Sequence, residues 1–581
     1  MKLRLNKGLL MALILGVSCT GAAFAADQIL TNQTIEGNYA ANEYALLIVK
    51  NGVEWMGTRD ESVNYSQNTI NYTASSTSSR TEGVISITSE GPQGAPELTI
   101  SGYGNVSFDS NNVSGPNTRG SAIHVEGSNK KEVKNATLNI IDNTQVSFNG
   151  NTAAAPTGSS YGGAICLHTD STANISGNGS VSFNGNTADA KTYAYGGAIY
   201  TTATINAGSG KVTDLSISEN ENVSFINNTA KTSQGFYAQG GAIHVARDTK
   251  VDIKNNTGKV EFIGNGVQQN SSSAKGGAIY VAGGYSSSDT KGELSICGNQ
   301  EVVFAGNYER DAKNDTYRLR SLYGMNAGKG IHISAKTGGS VEFRDSIYIN
   351  GSINLNEDYN GEEQAGKIIF SGRTTVEDLE AAIAANTAEG EIARDVTEDE
   401  IINSRTSEIT GKLTICNGTL SLQDGAILNA KSVTIASGAT LEGVLSQAQG
   451  ISTFGLEEAA IAATLDADLI LEDGATFTLD GGLIDMANNN VTIGDGVCIT
   501  ATNLDISAED GMVTLFANIN KLTIDSKTAE SGVIMMNING VEQEVTYDAT
   551  DGVIKVSAGA IPEPTTATLS LLALAARRRR K

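Results

Sequence analysis

Residues 181–200 read VSFNGNTADAKTYAYGGAIY, and this stretch decides the fold because variants of it recur along the chain. Each copy joins a Phe-x-x-Asn motif to a Gly-Gly-Ala-Ile motif, in steps of roughly 35 to 44 residues. The Phe and Asn pairs are Phe108/Asn111, Phe148/Asn151, Phe183/Asn186, Phe225/Asn228, Phe262/Asn265 and Phe304/Asn307. The Gly-Gly-Ala-Ile copies begin at Gly162, Gly196, Gly240 and Gly276, with degenerate copies beginning at Gly120 and Gly328. Such a period indicates a solenoid, whose units bury their apolar faces by stacking.

The repeats predict an all-β fold, a right-handed parallel β-helix solenoid. Each repeat contains two short β-type segments, for example 181–183 and 198–200, and its turns are rich in Gly and Asn, which tolerate positive φ. We expect about two coils per repeat, with Gly-Gly at tight corners and with the repeat Phe and Ile side chains inside. The repeat Asn side chains should form an internal or corner ladder. A β-propeller is the alternative, because its blades also run about 40 residues.

The ordered Phe-x-x-Asn and Gly-Gly-Ala-Ile motifs resemble the repeat of the polymorphic outer-membrane protein (Pmp) family, which are bacterial surface adhesins of the autotransporter type. The resemblance covers about residues 100–345 and extends more loosely through residue 426. It implies an exported protein of a Gram-negative bacterium, located at the outer membrane, at the cell surface or in the extracellular matrix. It does not specify a ligand.

The N-terminus reads as a secretory signal peptide. Cations precede an apolar run at 9–17, and Ala-Phe-Ala at 23–25 is a small-residue cleavage site. We predict cleavage between Ala25 and Ala26. Cys19 leaves a lipoprotein signal as the alternative, although Gly-Val-Ser before it matches a lipid-attachment site poorly.

The C-terminus resembles a PEP-CTERM sorting signal, which exosortase-type machinery recognises. The motif residues are Pro562, Glu563, Pro564, Arg577, Arg578, Arg579 and Arg580. The apolar run between them is well short of the ~20 residues that span a bilayer as a helix, and the terminal cations favour the cytoplasmic side. We therefore expect transient membrane anchoring by this tail. Pmp-type proteins end in a membrane β-barrel, but the residues after 410 leave no room for both more solenoid and a barrel, so we expect no C-terminal β-barrel.

A small helical insertion is predicted near 374–405. Thr374 and Glu377 form one capping-box signature, and Thr397 and Glu400 form another. The insertion is either a surface hairpin of helices without a specific role or a segment that contributes to ligand binding. The predicted organisation is 1–25 signal peptide, 26–95 N-terminal cap and first coils, 96–345 Pmp-like repeat β-helix, 346–410 transition with the helical insertion, 411–558 second β-helix-like passenger segment and cap, and 559–581 PEP-CTERM sorting tail.

The net charge argues against one class of partner, and the cysteine spacing argues against a metal site. The net charge of −24 repels polyanions, and no basic stripe is present, so nucleic acid is not an expected partner. Outside the signal, four cysteines occur far apart and without C-x-x-C or metal-ligand spacing. We expect buried free thiols, with disulfides as the alternative, at Cys166, Cys297, Cys416 and Cys498.

No catalytic, cofactor-binding or metal-binding residue is predicted. His124, His244 and His332 each follow a repeat Ile, where Tyr200 and Tyr280 stand in other copies. We therefore interpret them as one solvent-facing or inter-coil repeat position, with His124 and His244 about six coils apart. His168 completes the four histidines.

The expected function is an adhesin-like or structural surface protein that binds glycans or proteins through an extended lateral surface. The alternative is a secreted β-helical polysaccharide lyase or glycoside hydrolase. Hydrolysis needs two carboxylates about 5–9.5 Å apart. The acidic residues Asp109, Asp142, Asp170 and Asp252 fall at different repeat phases, which argues against a shared catalytic cluster.

Overall fold

The computed structural model describes most of the chain between residues 28 and 557. The predicted signal peptide with its cleavage position and the predicted sorting tail lie outside the described residues. The residues that the structure describes are 28–30, 33–36, 39–40, 47–50, 52–71, 80–88, 96–128, 135–203, 213–234, 236–270, 274–283, 291–325, 330–359, 361–373, 376–387, 392–446, 461–502 and 512–557.

The chain divides into two compact units. The first runs to Ile353 and includes Asp358–Gly366 and Thr374–Arg405, and the second comprises Asn354–Glu357, Lys367–Arg373 and the chain from Thr406 onward. Within each unit the strands of successive coils pair mainly in parallel. This arrangement confirms the predicted parallel β-helix solenoid.

The first unit contains two helices and most of the short strands. The helices are α1 (Val376–Ala385) and α2 (Glu398–Arg405). The strands are β1 (Gln28–Leu30), β2 (Gln33–Glu36), β3 (Tyr39–Ala40), β4 (Leu47–Val49), β5 (Val53–Met56), β6 (Ser62–Asn64), β7 (Thr69–Asn71), β8 (Arg80–Glu82), β9 (Ile85–Thr88), β10 (Glu97–Ser101), β11 (Asn105–Ser107), β12 (Asn112–Ser114), β13 (Asn117–Arg119), β14 (Ile123–Glu126), β15 (Ala136–Ile141), β16 (Gln145–Asn149), β17 (Thr152–Ala155), β18 (Ser160–Tyr161), β19 (Ile165–His168), β20 (Ser171–Ser176), β21 (Ser180–Asn184), β22 (Thr187–Ala190), β23 (Tyr193–Tyr195), β24 (Ile199–Thr202), β25 (Thr213–Ser218), β26 (Asn222–Ile226), β27 (Thr229–Thr232), β28 (Tyr237–Gln239), β29 (Ile243–Val245), β30 (Thr249–Lys254), β31 (Lys259–Ile263), β32 (Gly266–Gln269), β33 (Ile279–Val281), β34 (Glu293–Ala305), β35 (Tyr308–Asp311), β36 (Thr316–Gly324), β37 (Ile331–Phe343) and β38 (Ser346–Ile349).

The remaining strands continue the chain from residue 353. They are β39 (Ile353–Leu355), β40 (Lys367–Ser371), β41 (Thr406–Ile415), β42 (Thr419–Gln423), β43 (Ala426–Ile435), β44 (Thr440–Val444), β45 (Ile461–Leu471), β46 (Thr476–Asp480), β47 (Leu483–Asp485), β48 (Asn490–Ile493), β49 (Cys498–Thr502), β50 (Met512–Ala517), β51 (Lys521–Ile524), β52 (Lys527–Thr528), β53 (Gly532–Ile538), β54 (Val541–Asp548) and β55 (Val553–Ser557). In the second unit, strands β50, β53, β54 and β55 pair antiparallel.

Each repeat of the first unit forms one coil, so the predicted two coils per repeat are wrong. Strands β15 to β19 make one coil and pair in order with β20 to β24 of the next. Phe148 therefore lies directly opposite Phe183. Only two of the five strands were predicted from the repeat. Two of the other three, β17 and β18, turn Ala153, Ala155 and Ser160 inward, and these small side chains give a weak β signal.

The repeat Phe side chains form a continuous buried stack, as predicted. Neighbouring ring centroids lie 4.7 to 4.9 Å apart, close to the strand spacing of about 4.8 Å. The stack extends one coil further, from Phe304 to Phe343. The members of the stack and the repeat Ile residues are all buried, namely Phe108, Phe148, Phe183, Phe225, Phe262, Phe304, Phe343, Ile165, Ile199, Ile243 and Ile279.

The repeat Asn side chains form the predicted internal ladder. Asn186 Nδ2 donates to Phe148 O at 2.7 Å and to Asn228 Oδ1 at 2.8 Å. Its Oδ1 accepts from the backbone N–H of Asn151 at 3.1 Å and from Asn151 Nδ2 at 2.9 Å. The same pattern joins every coil from Asn68 to Asn307, where the buried carboxylate of Asp345 replaces the next amide.

A second Asn ladder, which the sequence did not predict, runs along the turn before each Phe strand. Its members bond through the same combination of side-chain oxygen, side-chain N–H and backbone N–H. In the coils that they join, the two ladders satisfy buried amide groups at two corners. The second ladder consists of Asn143, Asn178, Asn220, Asn256 and Asn299.

The Gly-Gly pairs form tight corners, as expected. Gly196 has a φ of 65°, which lies in the left-handed region. A Cβ on Gly197 would lie 1.9 Å from the carbonyl oxygen of Gly241 in the next coil. The first glycine of the pair is therefore required by backbone conformation and the second by close packing between coils.

The predicted helical insertion is confirmed. Both helices pack on the antiparallel pair β35 and β36, and their shared apolar cluster includes Tyr308, Leu319, Leu379 and Ile383. Thr397 and Glu400 form the expected capping box, with Thr397 N donating to Glu400 Oε2 at 3.0 Å. Among the described residues, no helix combines the length and apolar character that a membrane crossing requires.

The four cysteines outside the predicted signal are free thiols. Cys166 and Cys297 are buried, as expected, whereas Cys416 and Cys498 are partly exposed. Burial raises the pKa of both Cys166 and Cys297 to about 12. These two thiols are therefore protonated and unreactive at neutral pH.

Candidate functional site

An aromatic row runs along the outer face of the last strand of successive coils. Its five side chains follow one another in register with ring-centroid distances of 5.1, 5.0, 6.0 and 4.5 Å. Two of its neighbours are cationic, because Lys275 and Arg320 lie over the ring of Tyr323 at 4.7 and 5.3 Å. The aromatic row consists of Tyr200, His244, Tyr280, Tyr323 and Tyr348.

A small five-stranded sheet covers part of this face. It is formed by β8, β13, β18, β23 and β28, and its Tyr195 packs on Tyr200 at 5.8 Å and on His244 at 4.6 Å. Consequently Tyr200 and His244 are buried. Of the two alternatives predicted for this repeat position, the inter-coil one is correct for Tyr200 and His244 and the solvent-facing one is wrong, because the short strand before each Gly-Gly corner covers it.

Three aromatic side chains at the edge of this sheet form an exposed cluster, the aromatic tip, made of Tyr193, Phe236 and Tyr237. Tyr193 stacks on Phe236 at 5.4 Å and on Tyr237 at 5.9 Å. Phe236 is 58% exposed and Tyr237 is 42% exposed. Clustered exposed aromatic side chains are common at interaction sites, and flat rings can stack on a sugar or fill a recess on a protein. The sequence signal was an excess of aromatic residues just before the Gly-Gly motifs.

The aromatic row is electrically neutral around physiological pH. Burial lowers the pKa of His244 to about 3 and raises the pKa of Tyr280 to about 12. Neutral His244 has its Nε2 atom 3.2 Å from Gln239 Oε1. The tip therefore rests on an uncharged aromatic layer.

The burial of His244 should make the free energy of unfolding depend on pH. Its folded-state pKa lies below the unfolded value of about 6.5, so its stabilising contribution is complete above that pH and is lost as pH falls towards 3. Between pH 8 and pH 5, His244 should lower the free energy of unfolding by about 2 kcal/mol. Denaturant unfolding of the wild type and of His244→Tyr at both pH values measures this difference.

The variant provides the control because tyrosine occupies the same position in neighbouring coils, at Tyr200 and Tyr280. We expect His244→Tyr to lose about 2 kcal/mol less than the wild type on acidification. Parallel pH profiles for the two proteins would contradict the buried, neutral state of His244.

A polar groove of about 470 Å³ lies between the third strands of successive coils and the end of α1. Tyr308 Oη donates to Asn386 Oδ1 at 3.2 Å, and Gln268 Nε2 also donates to that oxygen. The end of the helical insertion therefore lines a polar recess, while its apolar face packs on β35 and β36. Its lining is Thr187, Asn227, Thr229, Lys231, Gly264, Gln268, Tyr308, Ala385, Asn386 and Thr387.

The prediction that His332 shares the repeat position of His124 and His244 is wrong. His332 is exposed on β37, while Tyr323 of β36 occupies the aromatic row in that part of the chain. His124 and His244 are three coils apart and not six, because each repeat is one coil. At about 4.8 Å per coil they are still too distant to form one site.

Comparison with known proteins supports the Pmp resemblance. The chain matches the Chlamydia polymorphic membrane protein (Chlamydia_PMP) repeat at residues 145–167, 180–202 and 222–246. It is 27% identical over 42% of its length to probable outer membrane protein pmp8 of Chlamydia pneumoniae, and 28% identical over 51% to pmp7 of the same organism. It is 26% identical over 55% of its length to probable outer membrane protein PmpG of Chlamydia muridarum. No solved structure matches the chain.

The chain spans 23%, 27% and 30% of the lengths of these three relatives. All three are named as outer membrane proteins, in agreement with the predicted location at the outer membrane or cell surface of a Gram-negative bacterium. The matched repeats contain Tyr193 of the aromatic tip and also Phe236 and Tyr237.

Proposed function

We propose that this chain is an exported, adhesin-like surface protein that binds extracellular glycans or proteins through the aromatic tip. The observation that carries the proposal is the cluster of Tyr193, Phe236 and Tyr237, which is exposed on a rigid solenoid. Two of these rings keep more than two fifths of their surface in contact with water, although burial of aromatic surface is favourable. A ligand that covers the tip would recover this free energy.

The scaffold suits recognition because the tip is held from beneath. Tyr193 also contacts Tyr195 at 5.9 Å, and Tyr195 packs on the buried aromatic row. The backbone N–H of Phe236 donates to Thr192 O at 3.0 Å, which ties the two strands of the tip together. Pre-ordered side chains lose little conformational entropy on binding.

Export and retention complete the proposal. The predicted signal peptide would direct the chain through the Sec pathway, and the PEP-CTERM-like tail would engage exosortase-type sorting machinery and anchor the chain transiently in the membrane. The outer-membrane names of the relatives support a surface location. The acidic net charge of −24 favours ligands that are neutral or cationic over nucleic acid.

A binding role fits the described residues better than catalysis. Glu82 and Glu126 approach one another near His124, and such a pair could suggest a glycoside hydrolase. Burial alone would raise the pKa of Glu126, but its hydrogen bond with His168 and the nearby His124 and Arg119 lower that pKa to about 2. Burial would raise the pKa of Glu82 too, but the nearby His124 and the hydrogen bond from Ser86 together lower it. Neither carboxyl is therefore a proton donor at neutral pH, as a general acid must be.

Removing the exposed rings should abolish most of the binding. We expect the double variant Phe236→Ser/Tyr237→Ser to lose at least about tenfold in affinity for glycans or proteins bound by the wild type, because exposed aromatic anchors dominate such interfaces. A glycan array and adhesion to host-cell surfaces identify the ligand class, and titration with the best binder measures the loss. The melting temperature should stay unchanged.

Val533→Ser is the matched control, since Val533 is an apolar side chain that is 63% exposed on another strand. Its affinity should equal that of the wild type. Equal binding by the double variant would refute the role of the tip. Turnover of a pectin, an alginate or a mucin glycan by the wild type would instead favour the polysaccharide-degrading alternative.

A further inference from the structure

A cluster of metal-ligand type lies near the N-terminal end of the aromatic face. Glu82 belongs to β8 of the small sheet, whereas His124 and Glu126 belong to β14 of the coil that it covers. One potential ligand atom from each residue lies within 4.8 Å of the other two. The two strands thus bring one imidazole and two carboxylates to a single point.

The imidazole of His124 has no hydrogen-bond partner. Its side chain is fully buried, and neither Nδ1 nor Nε2 makes a hydrogen bond. Nδ1 lies 3.9 Å from Glu82 Oε2, and Nε2 lies 3.7 Å from Glu126 Oε2, so one ring nitrogen faces each carboxylate. Buried polar atoms without hydrogen-bond partners are rare, and an ion-binding role is one explanation for them.

The spacing can accept an ion at one of the two ring nitrogens. Zn²⁺ bonds to nitrogen and carboxylate oxygen at about 2.0–2.2 Å, so two ligands of a tetrahedral ion lie roughly 3.4 Å apart. One ion bonds to only one ring nitrogen, and the 3.7 Å between Nε2 and Glu126 Oε2 is close to that spacing and longer than a hydrogen bond. Glu82, which faces the other ring nitrogen, would reach the ion by rotation of its partly exposed side chain. We propose that Glu82, His124 and Glu126 bind one divalent transition-metal ion, for which Zn²⁺ is the best match.

Neighbouring groups would orient the two carboxylates. His168 Nδ1 lies 3.2 Å from Glu126 Oε1, Arg119 Nη1 lies 3.1 Å from Glu126 Oε2, and Ser86 Oγ donates to Glu82 Oε2 at 2.5 Å. Such outer partners fix ligand geometry in metal sites. Arg119 donates to the same Glu126 oxygen that faces His124, so its guanidinium would compete with the ion for that oxygen. The Arg119 charge weakens the site relative to one formed by the three ligands alone.

The ion has an entry path and a structural consequence. The Glu82 and Glu126 side chains are 35% and 21% exposed, so the carboxylates reach solvent while the imidazole does not. Bound metal would join β8 to β14 and hold the first strand of the small sheet on the solenoid. Because the ends of a solenoid expose unpaired strand edges, this link would stabilise the N-terminal coils.

Zinc titration of the purified, EDTA-treated full chain tests the proposal. We expect calorimetry to show a site with a dissociation constant of about 10 µM or lower, and the melting temperature to rise with added Zn²⁺. His124→Tyr and Glu82→Gln should each weaken this site at least tenfold. His244→Tyr is the matched control, because His244 occupies the same position in a later coil and should leave zinc binding unchanged.

Co²⁺ substitution identifies the ligand atoms. The wild type should gain visible absorption from the bound ion without thiolate-to-metal charge transfer, since the ligands are nitrogen and oxygen. Absence of zinc binding at 100 µM free ion, or binding that His124→Tyr and Glu82→Gln leave intact, would overturn the proposal. A melting temperature lowered by His124→Tyr but insensitive to Zn²⁺ in the wild type would show an ion-pair cluster instead, which also overturns it.

Discussion

Asn186→Leu should lower the free energy of unfolding by about 2–6 kcal/mol, because it interrupts the buried ladder in the middle of the repeat array. The substitution removes Asn186 Oδ1, which accepts from the backbone N–H and from the side-chain N–H of Asn151. Both donors are buried, and each unsatisfied group costs about 1–3 kcal/mol. Denaturant unfolding followed by far-UV circular dichroism measures the loss.

Asn184→Leu is the matched control for the ladder. Asn184 lies two residues earlier on β21, where its side chain is exposed on the outer face. Its substitution should change the free energy of unfolding by less than about 0.5 kcal/mol. Equal losses in the two variants would mean that the Asn of Phe-x-x-Asn does not stabilise the interior.

The solenoid was predictable because its signals recur at identical positions in every coil. Phe148 and Phe183 occupy the same place in two successive copies of the Phe-x-x-Asn motif, as do Asn151 and Asn186. Successive coils pair in register, so each residue contacts its equivalent in the next copy. The number of coils per repeat was not predictable, because strands with inward Ala and Ser lack the β-branched or aromatic side chains that mark a strand. The period alone does not reveal how many strands one coil contains.

The candidate sites were harder to predict, because they depend on contacts between coils. Phe236 and Tyr237 resemble ordinary loop residues in sequence, and only the fold places them against Tyr193. Glu82 comes from a different coil than His124 and Glu126, so no short metal-binding motif exists in the sequence. A repeat fold gathers such residues by register and not by sequence spacing.

The relation between one repeat and one coil has a direct consequence for deletions. Removal of residues 149–183 joins Phe148 to Asn184, which restores an intact Phe-x-x-Asn motif ending at Asn186. The deletion removes one complete turn of the solenoid, so the register of the remaining strands is kept. Strand β15 can then pair with β25, and β22 takes the place of β17. Since the energy of a solenoid is nearly a sum over neighbouring units, the shortened chain should fold.

Removal of about half of that segment, residues 149–166, should have a very different effect. It deletes β17 and β18 but keeps β20 and β21, so the next strands are displaced from their partners and inward side chains would face water. We expect this variant to lose at least about 5 kcal/mol, enough to unfold the coils on either side, because the Phe stack and both ladders are broken together. Two coils per repeat would instead make this the tolerated deletion.

Thermal unfolding of these two deletion variants, followed by far-UV circular dichroism, is the measurement that tests one coil per repeat most directly. The deletion of 149–183 should retain a β spectrum and a cooperative transition within a few degrees of the wild type. The deletion of 149–166 should show a reduced β signal and a broad transition at lower temperature. Similar transitions for both variants, or a better-folded half-repeat variant, would contradict the coil assignment on which the stacked Phe residues, the Asn ladders and the aromatic tip all depend.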